Sequence, residues 1–126
     1  MRQINIKHIT NLNSESLRGL SFYEHELGVL LERLDEIAGD NTGKDVSEKV
    51  EHFQNQLIIH NEVIDELKHL IHANNKGMEL QLHHTDVFVD LGTADEHRQL
   101  NEKYLTEEKM LNDLRHEFNR FAAEWM

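Results

Sequence analysis

Val46-Ser-Glu-Lys-Val50-Glu-His-Phe53-Gln-Asn-Gln-Leu57-Ile-Ile-His60-Asn-Glu-Val-Ile64-Asp-Glu-Leu67-Lys-His-Leu-Ile71 decides the fold class. Its apolar side chains recur at alternating steps of three and four, from Val46, Val50, Phe53 and Leu57 to Ile64, Leu67 and Ile71. His60 and then Asn74 keep the same step. That period stacks them along one side of a helix, whereas a half-buried strand would alternate every second residue. No proline in the chain opposes long helices.

A second seam repeats the pattern through His97, Leu100, Tyr104, Glu107, Leu111, Leu114, Phe118, Phe121 and Trp125. A third, shorter one runs through Leu20, Tyr23, Leu27, Leu30, Leu34 and Ile37. Ser21, Asp45 and Thr93 are each followed three residues later by Glu, the capping-box spacing at a helix start. Gly39-Asp-Asn-Thr-Gly43 and Leu91-Gly-Thr93 break the pattern as turns. The expectation is one all-α domain with helices over 21–38, 45–88 and 94–125.

Two regions read less simply. Residues 1–20 hold Ile4, Ile6, Ile9, Leu12, Leu17 and Leu20, compatible with a short strand, a short helix or an arm, and are read as an N-terminal arm. Residues 77–91 extend the second helix irregularly, because Val87-Phe88-Val89 favours extended backbone. If the second and third helices form an antiparallel hairpin turning near Leu91, paired position numbers sum to about 182. Leu111 then faces Ile71, Phe118 faces Ile64, Trp125 approaches Leu57 and Glu107 meets Asn74. The short first helix covers only the near half, leaving a three-helix antiparallel bundle with a projecting hairpin. Met78, Leu82, Phe88, Tyr104 and Met110 become interface candidates on that arm, to be covered by residues 1–20 or by a second subunit, with a homodimer the favoured expectation.

Composition excludes several classes of function. A net charge of −11 repels nucleic-acid phosphates and anionic membrane surfaces, and no basic cluster offsets it. No cysteine means no disulfide, thiolate metal site or cysteine nucleophile. Met1-Arg-Gln-Ile-Asn-Ile-Lys-His8 lacks the apolar core of a signal peptide, so a cytoplasmic protein is expected.

The histidines invite a metal reading. Glu66-Leu-Lys-His69 and Asp113-Leu-Arg-His116 match or approach the Glu-x-x-His element of di-iron helical bundles. With Leu67 and Ile71, or Leu111 and Leu114, in the seams, those histidines face outward, as do His25, His52 and Glu62. His69 with His72, and His83 with His84, are read as solvated pairs. No metal, cofactor or catalytic residue is therefore assigned, and the protein is read as non-enzymatic. Seam residues His60, Tyr23, Glu107 and Asn74 are the candidate polar core, with His60 expected to bond the Tyr23 hydroxyl and fix register. His97 is placed near the exposed junction, without a role. Full protonation of the ten histidines would carry the charge from −11 to −1, which keeps acid sensing as an alternative.

Glu51-His-Phe-Gln-Asn-Gln-Leu-Ile-Ile59 and Leu114-Arg-His-Glu-Phe-Asn-Arg-Phe-Ala-Ala-Glu-Trp-Met126 resemble an uncharacterised family of small helical proteins from Bacteroidetes-type bacteria. The resemblance covers roughly 21–126 and implies a cytoplasmic bacterial protein, with no activity to carry over. The leading reading is a helical interaction or scaffold protein acting through self-association or docking of a partner helix. A metal-binding bundle, hemerythrin-like or ferritin-like in broad class, is the alternative from a different class.

Overall fold

A computed structural model of the chain describes residues 5–82 and 91–125, and of 81, 82 and 91 the backbone only. Three helices, α1 (Ile6–Asp40), α2 (Lys44–Leu82) and α3 (Leu91–Trp125), each pack against both others, with no strand among the described residues. The fold is an all-α three-helix bundle.

Residues 6–20 are not an arm. They are the first four turns of α1, which starts at Asn5, whose side chain accepts a hydrogen bond from the Lys7 amide at 2.8 Å. Ser21 is consequently exposed within the helix and caps nothing. The buried residues Ile6, Ile9, Asn13, Ser16 and Leu20 carry the first seam back to the helix start at an unbroken three-four step. Two polar members, Asn13 and Ser16, interrupt its apolar lettering. At the other end Asn41 caps α1, its amide and side-chain nitrogen both donating to the Ile37 carbonyl at 3.0 Å, and α2 begins three residues later.

The long α1 also removes the projecting hairpin. Ile6 and Ile9 bury against Met78 and Ala94 at the far end of the α2–α3 pair. That end has its third helix, so the reason for expecting a second chain there is gone. Residues 83–90, with His83, His84 and the Val87-Phe88-Val89 segment, lie outside the described residues.

The hairpin register differs from the expected one. Phe118 stacks edge-on to Phe53 with ring centroids 5.3 Å apart, and Phe121 lies 5.0 Å from the same ring. Glu107 meets His60 instead of Asn74, and the Trp125 carbonyl accepts a 3.4 Å hydrogen bond from Asn41. Paired position numbers sum to about 170, so the helices are slid by about three turns from the expected pairing. Three whole turns keep each seam facing its neighbour, so the same residues are buried while every layer finds a different partner. Leu20, Leu34, Ile37, Val46, Ile64, Ile71 and Phe118 are essentially inaccessible. Each such side chain contributes about 1.5–3 kcal/mol relative to exposure.

Candidate functional site: an open groove over a buried His–Glu pair

Polar seam residues converge in two places. At the far end, one residue from each helix forms a buried layer: Asn13 (α1), Asn74 (α2) and His97 (α3). The Asn13 side-chain NH2 donates to Asn74 Oδ1 (2.9 Å) and to Asn75 Oδ1 (2.8 Å). With its donors committed, Asn13 Oδ1 must accept, so His97 Nδ1 at 2.9 Å carries the hydrogen. The Asn74 amide continues to the Thr93 carbonyl at 3.4 Å. Burial, helped by the positive charge of nearby His8, lowers the pKa of His97 from its ordinary 6.5. This layer is internally satisfied. His97 is a structural histidine and not a residue of an exposed junction.

The second place is not satisfied. His60 Nδ1 lies 2.5 Å from Glu107 Oε1, with the two residues 5% and 4% exposed. With Glu107 as a carboxylate, which can only accept, His60 Nδ1–H is the donor. The other oxygen, Glu107 Oε2, is buried and has no partner among the described residues. Such an atom is costly to leave unpaired, and each instance calls for an explanation. Tyr23, expected on His60, is elsewhere: its hydroxyl accepts from Asn112 Nδ2 at 3.3 Å, and burial raises its pKa.

His60 and Glu107 line a groove of about 690 Å³ between α2 and α3. No residue of α1 contributes to it, so it opens on the face of the hairpin away from the third helix. Its walls carry a second stripe on α2, Ile59, Val63, Glu66 and Leu70, at the same four-three-four step as the buried seam. Thr106 and Met110 stand opposite on α3. Ile59 and Met110 are each 50% exposed. Glu66 and Glu102 are the acids among the lining residues besides Glu107, and Lys103 is the base.

The other interface candidates fall elsewhere. Met78 is buried under α1. Tyr104 is half-buried with its hydroxyl over Gly19 of α1, where it donates to Glu108 Oε2 at 3.0 Å; burial and that carboxylate raise its pKa. The Leu82 side chain and Phe88 lie outside the described residues. Among the described candidates, Met110 alone is brought to an open apolar face. Ile59, Val63 and Leu70 each stand one position before a seam residue, His60, Ile64 and Ile71, and their own spacing is legible in the sequence. His25, His52, His69, His72 and His116 are exposed, and no group of three or more His, Asp or Glu among the described residues could hold a metal ion. No described helix is long and apolar enough to cross a membrane.

Fold and groove together describe a three-helix bundle with an open groove between α2 and α3. Compared with family models, curated proteins and solved structures, the chain matches none.

Proposed function

We propose that this is a non-enzymatic interaction protein whose α2–α3 groove docks an amphipathic helix from a partner. The carrying observation is the apolar lining of that groove, where Ile59, Leu70 and Met110 are exposed and Val63 is partly buried while the bundle's own seams are filled. Surface apolar residues scattered singly need no explanation, but Ile59, Val63 and Leu70 at helical spacing on α2, with Met110 opposite on α3, line one groove of the kind that receives the apolar face of a helix. From Gln56 to Leu70 the α2 wall measures about 21 Å, or four turns of a docked helix. A fourth helix there would convert an open three-helix arrangement into a four-helix one.

A second copy of this chain is the competing occupant, and a homodimer through this face remains part of the proposal's test. Light scattering separates the two. A mass of two chains that falls to one on Ile59→Lys assigns the groove to self-association, and a mass of one chain leaves it to a partner. For the partner, a displayed library of amphipathic helices is selected on the intact protein. Binders should be lost on Ile59→Lys with Met110→Lys and retained on Phe22→Lys, an exposed apolar site outside the groove. Binders indifferent to the groove substitutions, or none at all from a monomeric protein, would sink the docking reading.

A further inference from the structure

We infer that the groove selects a basic helix that lays one Lys or Arg side chain onto Glu107 Oε2. The inference rests on the docking reading and adds the partner's chemistry. Four observations carry it. Glu107 is 4% exposed, lines the groove, and has one oxygen held by His60 and the other without a partner among the described residues. An apolar partner helix would leave that already buried oxygen without a partner, whereas a cationic side chain reaching it would supply the missing hydrogen bond. The approach is lined by Ile59, Val63 and Met110, which suit the aliphatic stem of a long cationic side chain. Finally, Glu66 and Glu102 on the walls outnumber Lys103, and the whole chain carries −11, so a basic helix is attracted while a second copy is repelled.

The geometry assigns the parts. Oε1 is committed to the His60 Nδ1–H, which holds the carboxylate in one rotamer and orients Oε2. The incoming ammonium or guanidinium completes the carboxylate with a charge-assisted hydrogen bond. Glu66 and Glu102 then meet basic residues on the flanks of the docked helix, an effect that weakens with salt. His60 acts here as a positioning residue. No bond is made or broken.

The same helix library tests this, with all residues of the apolar stripe randomised. On wild-type protein the binders should converge on Lys or Arg at one stripe position, and should tolerate Leu or Met at that position when selected on Glu107→Gln. One selected peptide, synthesised with norleucine in place of that cation, should bind wild-type protein at least about tenfold more weakly. This comparison needs no altered protein, so it stands even if Glu107→Gln fails to fold. Groove-dependent binders with no conserved cation, or equal affinity for the norleucine peptide, would overturn the inference and leave docking intact. Binders that ignore Ile59→Lys with Met110→Lys would overturn both.

Discussion

His60 and Glu107 come from helices of opposite direction and meet at 2.5 Å in a place where neither reaches much water. Removing one member leaves the other buried and uncompensated, whereas removing both leaves an apolar site. His60→Ala should therefore destabilise the fold by about 3–5 kcal/mol, and His60→Leu with Glu107→Leu by far less, or not at all. Urea unfolding of His60→Leu, Glu107→Leu and the double variant measures the coupling. Additive costs would mean that the pair does not act as a unit.

Gly19 and Gly28 test packing against intrinsic helix preference. Both lie within α1, where alanine is ordinarily favoured by about 0.5–1 kcal/mol. A Cβ on Gly28 meets nothing within 4 Å, so Gly28→Ala should stabilise by about that amount. A Cβ on Gly19 would stand 2.0 Å from the Tyr104 hydroxyl oxygen, so Gly19→Ala should cost roughly 1–3 kcal/mol by displacing the ring. Tyr104→Phe, which removes that oxygen, should recover part of the loss. A Gly19→Ala protein as stable as Gly28→Ala would show that the helices do not approach this closely.

The beginning of α1 should matter as much as its middle. Ile9 is fully buried against Met78 and Ala94, and Ile9→Ala should cost about 2–5 kcal/mol. Phe22, larger but half exposed on the same helix, should lose much less on truncation to Ala. Chemical denaturation of the two variants compares them directly, and equal small effects would restore the view of residues 1–20 as a loose arm.

His97 gives the fold an acid limit. Burial lowers its pKa in the folded protein below the ordinary 6.5, while the unfolded chain protonates at the ordinary value. The unfolded state then binds the extra proton, so stability from this group is complete above 6.5 and declines as pH falls below it. Thermal melts between pH 7.5 and 5.5 should show a falling Tm, and His97→Gln should flatten the fall. The coulombic effect of the exposed His8 on His97 acts in the same direction. An unchanged slope in His97→Gln would assign the acid sensitivity to other groups.

The three-four spacing of Val46 to Ile71, of His97 to Trp125 and of Leu20 to Ile37 determined three helices and the sides they bury, because helical period alone decides which residues share a face. The outward direction of His52, His69 and His116 followed from the same spacing, and so did the burial of His60, Glu107 and Asn74. Spacing could not rank registers that differ by whole turns, since each presents the same faces. Only assembly chose the register that pairs both polar positions of α2 with both of α3, His60 with Glu107 and Asn74 with the His97 layer. The start of α1 was hidden for a related reason. Asn13 and Ser16 read as breaks in an apolar seam until Asn74, Asn75 and His97 supply the partners that make burial of Asn13 tolerable. The groove, too, belongs to the tertiary structure: α1 packs on one side of the hairpin only, and the stripe left on the other side is open because no further described segment reaches it.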